Sequence, residues 1–552
     1  MAILFVVVLL PSALRPPAQQ STQSAEFSPN APHQNQQSII AAFQQASSGT
    51  AGAGTGGGTG ATAPGAGAPG LHLPPPKQVP NFCPNGFGSP PRQTMNIYSG
   101  PCAPAWHGNN GGATWQGVTA NQIRICVNGD YSSGPSADGP IPDQLSSSEN
   151  AWDAAYTVFQ QYFNQNFQLY GRQIQFYAID SSNSTSISNE QTAAVKCDQD
   201  YRAFASGWTA EASTAYYDQH GIISYVDSHW PMSYYQQGNP LAYSWTIDGD
   251  HSAQFTAEFI CKQLAGKDAQ WAGEADYQHT KRKFGLDLYD TRGYQELGPI
   301  IANDLKADCG QDIYIVYSDL DTSTGDSSLG QAATKFKAAG VTTLIPGLDW
   351  VSTAVLTNAA NSDAYYPEWL IVPAGYLDRN ELGSLQNQTE WAHAFGFTDQ
   401  AMERPLVATD CYRAFQTIDP GSAPPSQFCI YDYDSLYSLI TGIQAAGPDL
   451  TPANFQKGQW GIGFHYYNPS LWAIGGGFGP GHPTWPDTVT MLWWNPTAPS
   501  PDPDTSDNAD TVGAYDYLNN GQRYQLGQIP GGTAPFFTSG TTVAPYPTQF
   551  GD

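Results

Sequence analysis

Hydrophobic and polar positions alternate between two periods along most of the chain beyond residue 115. Short apolar runs rich in β-branched and aromatic residues predict strands at Ile123–Val127, Ile174–Ile179, Ala203–Ala205 and Ile222–Val226. Between them apolar side chains recur at helical spacing, as in Trp152, Ala155, Tyr156, Phe159, Tyr162 and Phe163. This spacing predicts helices over 149–164, 189–198 and 209–220. The pattern resumes with strands at Phe284–Tyr289, Ile313–Tyr317, Thr342–Ile345 and Trp369–Val372. Helices are predicted over 295–306, 327–339 and 351–360, with a further one over 433–446. Strands alternating with helices imply parallel sheets joined by right-handed crossovers. Two consecutive runs of this kind predict an α/β protein of two doubly wound, parallel-sheet lobes.

The start of the chain has a different texture. Ala2–Leu10 is a nine-residue apolar run, too short for a membrane span, which takes about 20 residues. It has the length of a signal-peptide core, although no basic residue precedes it and no small-x-small cleavage site follows. A truncated signal segment is expected over 1–18. Residues 51–70 contain only Gly, Ala, Thr and Pro, and the only charged side chains over 1–80 are Arg15, Glu26 and Lys77. Such a stretch buries too little apolar area to offset its ordering entropy. A flexible linker is therefore expected over 16–80, within a low-complexity linker and Cys-containing extension that spans 19–114.

Charge narrows the function. The 552 residues carry 48 acidic and 21 basic side chains, a formal charge of −27. Nucleic-acid binding and docking on anionic lipid both need a basic surface, so neither is expected. Eight cysteines lie without any C-x-x-C spacing, which disfavours zinc ribbons and thioredoxin-type sites. An even count in an exported chain favours disulfides and an extracytoplasmic location. The sequence-local pairs Cys83–Cys102 and Cys411–Cys429 are expected; pairing of Cys126, Cys197, Cys261 and Cys309 stays open.

Ligands of doubly wound sheets sit beyond the carboxyl ends of the strands. The loops there hold Asp130 and Tyr131, then Ser206, Gly207, Trp208 and Thr209, then Asp227, Ser228 and His229. The second run contributes Tyr294 and Ser318. Aromatic walls with a few hydroxyls and carboxylates suit a small polar solute. No G-x-S-x-G elbow, H-E-x-x-H helix, P-loop or strand-linked G-x-G-x-x-G occurs. No enzyme activity, cofactor or metal is expected. The pairs Asp248/Asp250 and Asp319/Asp321 read as solvated turns, and Gly475–Gly479 as a loop. Trp460, Trp472, Trp485, Trp493 and Trp494 could stack sugars, which keeps a secreted carbohydrate-active protein as the alternative. A tethered ligand sensor is the second alternative.

The segment Gly117–Val127, followed by Phe163-Asn164, Tyr170-Gly171-Arg172 and Asp180, resembles the opening of type 1 solute-binding proteins. Phe336–Val341, the Pro373-Ala374-Gly375 turn and Gly447–Phe455 resemble later landmarks of their branched-chain amino-acid group. The resemblance covers roughly residues 115–500. It implies two lobes joined by three hinge crossovers, closing on a solute in the cleft, with delivery to an ABC-type permease. It places lobe 1 at 115–275 and 400–465, lobe 2 at 276–399 and 466–530, and a tail at 531–552. It also implies binding roles for Gly207–Thr209, Ser228–Trp230 and the aromatic Tyr294. Amino-acid-binding members carry an acidic residue in the Pro-x-Gly turn, where this chain has Ala374. An uncompensated buried ammonium is costly, so a sugar, amide or peptide fragment is expected beside amino-acid-like solutes.

Overall fold

The computed structural model describes residues 93, 96–104, 106–128, 139–143, 151–179, 187–207, 211–226, 229–319, 325–424, 429–466, 473–499 and 512–542. The expected signal segment, the expected flexible linker, and Cys83 lie outside these residues.

Two sheets organise the chain. The first contains β1 (Gln122–Asn128), β2 (Gly139–Pro140), β3 (Gln173–Ile179), β4 (Ala205–Ser206), β5 (Ile223–Val226) and β6 (Ala242–Ser244). Their order is β2-β3-β1-β4-β5-β6, parallel throughout except for the antiparallel edge strand β2. The linking helices are α1 (Ala151–Asn166), α2 (Ile187–Gln199) and α3 (Glu211–His220). The second sheet contains β7 (Phe284–Tyr289), β8 (Ile313–Ser318), β9 (Thr343–Gly347), β10 (Glu368–Ile371) and β11 (Ala394–Thr398). Antiparallel β12 (Val489–Pro499) and β13 (Val512–Tyr517) extend it in the order β13-β12-β11-β10-β9-β7-β8. Omitting the added edges, both sheets share one winding, in which the first strand lies between the second and the third.

The helices form where sequence spacing predicts them, within a turn at each end. Burial supplies the reason: Tyr156, Phe159, Tyr162 and Phe163 of α1 are all buried, and each is 1% exposed or less. Central strands of covered parallel sheets are buried on both faces, and every residue of β7 is buried. The third strand lies at Ala205–Ser206 rather than 203–205. Sequence spacing also missed β6, β11, β12 and β13, because their length or pairing depends on distant neighbours.

The chain passes from the first sheet to the second directly after β6. Helix α4 (Gly249–Phe259) packs on α5 (Arg292–Cys309) and shares the core of the second sheet through Phe255 and Phe259. This crossing precedes the 275/276 division read from the sequence. The remaining helices are α6 (Gly325–Ala339), α7 (Trp350–Ser362), α8 (Asp410–Ile418), α9 (Cys429–Ala446) and α10 (Pro452–Ile462). Helices α9 and α10 return to the first lobe: Phe455 meets Phe204, Tyr225 and Tyr243, and Tyr433 meets Phe159. Thr451 caps α10 by accepting from Asn454 N–H, with Pro452 at its first position. Part of the expected tail is core: Phe536 is 1% exposed and packs on Phe259 and Phe395.

Three disulfides occur among the described residues: Cys126–Cys197, Cys261–Cys309 and Cys411–Cys429. The last is the pair read from sequence. Cys102 is disulfide-bonded; its expected partner Cys83 lies outside the described residues.

Candidate functional site

Three segments join the lobes, and they are bonded to one another. Along the first, Ile247 N–H donates to the Asp399 carboxylate of the second at 2.9 Å. The third runs beside β6, with Ser244 N–H donating to Pro483 O and Trp485 N–H to Ser244 O. Arg523 locks the second to the third by donating to the carbonyls of Asp399, Gln400 and Thr488. Trp245 stacks on Trp485 with centroids 5.0 Å apart. The tryptophans at 485, 493 and 494 are therefore hinge and core packing. Trp460 is exposed, and Trp472 lies outside the described residues.

At this hinge a small hollow of about 30 Å³ lies between the lobes. The first lobe lines it with Ile430, Tyr431 and Asp434 of α9, the second with Arg379 and Glu381, and the crossovers with Trp245, Gln400–Arg404 and Ile474. Arg379 follows β10 and the Pro373–Gly375 turn, and reaches across the hinge. Its Nη1 donates to Ala401 O at 3.1 Å, and its guanidinium lies 4.5 Å from the Tyr431 ring centroid. Asn380 N–H donates to Glu403 at 2.7 Å, fixing that carboxylate beside it.

Behind this wall sits a buried ion cluster. Asp410 lies 3.2 Å from Arg413 and 3.8 Å from Arg404, with all three side chains at 6% exposure or less. The Cys411–Cys429 disulfide joins the first turns of α8 and α9, so it holds Asp410 close to Tyr431 and Asp434. Burial, then the Asp410 charge, pushes the Asp434 carboxyl up to about 8, against the pull of Arg404 and Arg379. At neutral pH Asp434 is thus mostly protonated and can donate a hydrogen bond. A side-chain hydrogen bond from Asn96 also pulls this carboxyl down, while the Arg379 Nε is buried with no direct hydrogen-bond partner. Arg379 and Asp434 line the hollow together with Trp245, Tyr431 and Ile474.

The extension before residue 115 contributes to this site. Asn96 and Ser99 are buried, and Ser99 Oγ lies 2.6 Å from Tyr437 Oη on α9. Tyr98 packs edge-on against Trp245 at 5.0 Å and accepts from Ile474 N–H at 2.9 Å. The turn 96–99, in the Cys-containing extension, is thus folded.

Of the residues proposed from sequence, Asp130, Tyr131, Trp208, Thr209, Asp227 and Ser228 lie outside the described residues. Gly207 is not among the residues lining the hollow; its carbonyl accepts from Ser435 Oγ at 3.4 Å, one residue beyond Asp434. Ser206 is buried at 1% exposure. His229 faces the hinge, its Nε2 3.7 Å from Asp399. Tyr294 packs edge-on against Tyr289 at 5.3 Å, and Tyr289 bonds the Asp349 carboxylate beyond β9. Ser318 is fully buried and donates to Asp287 at 2.8 Å. Ser318 therefore points into the second lobe rather than across the cleft.

No motif announces Arg379 or Asp434. One signal was present: between Lys337 and Lys457 the only Lys or Arg residues are Arg379, Arg404 and Arg413, and all three are buried here. Of the acid pairs, Asp248/Asp250 has structural roles and is not a solvated turn. Asp248 caps α4, and Asp250 accepts from Met232 N–H; Asp321 lies outside the described residues. Gly475–Gly479 is a loop, Gly476 pairing with His465.

No family model matches the chain, and no curated protein matches it. Solved structures do. A fatty acid ABC transporter substrate-binding protein from Thermomonospora curvata superposes with a TM-score of 0.52 at 12% identity, covering 76% of this chain and 97% of that one. A solute-binding protein of an ABC transporter from Rhodopseudomonas palustris HaA2, in complex with p-hydroxybenzoic acid, gives 0.51 at 10% identity, covering 74% and 98%. The chain has the two-lobed fold of type 1 periplasmic binding proteins. Those two neighbours are binding proteins of ABC transporters.

Proposed function

We propose that this protein is an extracytoplasmic solute-binding protein that closes two lobes on a small polar solute and hands it to an ABC-type permease. The observation that carries this reading is the hinge hollow, lined from both lobes and holding a buried polar group that lacks a partner. A buried polar group without a partner is costly, so a solute that accepts from Arg379 Nε–H supplies a bond the folded chain leaves unmet. Binding then stabilises the conformation in which both lobes touch the solute, by its differential contacts alone.

The chemistry favours a solute with an acceptor and a hydrogen-bonding polar group on an apolar or aromatic body. An amino-acid-like molecule or an amide fits this description. The counter-charge missing at Ala374 is available elsewhere, from Glu381 and Glu403 beside the hollow. The two neighbours lend support, since one is named for fatty acids and the other holds p-hydroxybenzoic acid. Gly207–Thr209 is proposed as the first-lobe rim of the same site. The disulfides and the acidic surface agree with an extracytoplasmic location. No helix among the described residues is long and apolar enough to cross a membrane.

The test is a thermal-shift screen over amino acids, amides, aromatic acids and short-chain acids. A true solute raises the melting temperature in step with RT ln(1 + [L]/Kd) and is recovered chemically unchanged. Arg379→Met and Asp434→Leu should each abolish the shift. Conversion of the solute, or a shift that survives both substitutions, would refute the assignment.

A further inference from the structure

On the far side of the first crossover lies a second cluster of titratable groups, separate from the hollow. Asp248 is fully buried at the start of α4, where its carboxylate accepts from His251 N–H at 3.0 Å and from Thr484 Oγ1 at 3.1 Å. His251 Nδ1 lies 2.7 Å from the same carboxylate. Its ring faces that of His482, with centroids 5.4 Å apart, and His482 Nε2 lies 3.9 Å from Asp487. Tyr466 bonds the other Asp487 oxygen, and Phe464 packs edge-on against His482 at 4.9 Å. The charged groups acting on His251 are Asp248, Asp250 and Asp487.

These residues belong to two lobes. Asp248 and His251 begin α4, which packs under the second sheet. Thr484 bridges to Ser244 of β6 in the first sheet, and His482 and Asp487 flank it. We infer that Asp248, His251, His482 and Asp487 form an acid-strengthened latch that stiffens the first and third hinge crossovers against each other. A change in the angle between the lobes strains this contact, so its strength enters the balance between open and closed forms. The latch needs only the two-lobed fold; its influence on solute affinity rests on the function proposed above.

The direction follows from the groups. The hydrogen bond to Asp248 raises the His251 pKa above 6.5, outweighing burial. Burial pushes Asp248 and Asp487 up, but their histidine contacts outweigh it and hold both below 3.8. A raised histidine stabilises fully below its unfolded value and loses this as pH rises through its folded value. The depressed carboxylates stabilise above their unfolded value and lose this as pH falls through their folded values. The latch is therefore strongest between about pH 4 and 6.5 and weakens toward pH 8.

Hydrogen exchange on the full chain, without solute, tests this. Protection factors are read for peptides covering 244–252 and 476–488, corrected for intrinsic rates, at pH 5.5 and 8. In the parent, protection should fall roughly twofold to fivefold at pH 8, the range of a part-exposed ion pair. His251→Gln keeps a hydrogen-bonding side chain without a titrating charge, and the pH step in its corrected protection should be clearly smaller than the parent's. Asp487→Asn should show a reduced step. If His251→Gln keeps the parental step, or the parent shows none, the latch is refuted. Neither result bears on solute binding, which the thermal-shift screen decides separately.

Discussion

Arg379 is the residue on which the hinge hollow most depends, and its replacement by methionine has a calculable outcome. Methionine keeps much of the side-chain volume but removes the charge and the fork. The hydrogen bond from Nη1 to Ala401 O joins the second lobe to a crossover; such a bond with a charged donor contributes about 1.5–3 kcal/mol. The contact over Tyr431 joins it to α9 of the first lobe, and a desolvated cation–π pair adds about 1–2 kcal/mol. Relief of the guanidinium's own desolvation offsets part of this sum. The expected net loss is about 2–4 kcal/mol, read as a lower urea midpoint at unchanged m-value. Arg379→Lys keeps the charge but not the planar fork, and should fall between parent and Arg379→Met. Because Arg379 pulls the Asp434 carboxyl down, the methionine variant should also push that group further up. If Arg379→Met stays within about 0.5 kcal/mol of the parent, a typical neutral surface change, the guanidinium does not tie the lobes together.

Two further outcomes are expected. The Cys261–Cys309 disulfide closes a loop of 48 residues, so replacing both cysteines by alanine should cost about 4 kcal/mol by the chain-entropy relation, measured by urea unfolding of the oxidised parent and the variant; a loss under 1 kcal/mol would contradict it. Asp434 binds its proton more tightly folded than unfolded, so it lowers stability progressively as pH rises from about 4 to 8. Asp434→Asn should therefore gain on the parent across that range, and parallel stability curves would rule out the raised carboxyl.

Local periodicity sufficed for the elements whose burial is set by their own neighbours. The strands β1, β3, β5, β7 to β10 and the helices between them could be read because each is either a short apolar run, as in the wholly buried β7, β9 and β10, or an amphipathic segment at regular spacing. The Cys411–Cys429 pair was readable because the two cysteines are close in sequence. Strand β6, with three residues, carries no period of its own. Strand β12 joins through antiparallel pairing to β11, about a hundred residues earlier in the chain, and only the assembled sheet creates that edge.

The site divides in the same way. The rule that ligands sit beyond the strand ends directed attention to the cleft and to Gly207, whose carbonyl meets Ser435 of α9. Ser318 obeys the same rule by position, yet its hydroxyl turns inward because Asp287 on the neighbouring strand β7 needs a donor. Arg379, Asp434, Trp245 and Tyr98 come from four distant stretches, and no spacing links them. Their meeting is decided by three crossovers and a disulfide that bring α9, the segment after β10 and the turn 96–99 to one point. The sequence by itself determined which residues are apolar, paired or scarce. Which of the scarce charges would be buried facing one another was settled only by the tertiary fold, because desolvation and Coulomb interaction depend on distances in space rather than along the chain.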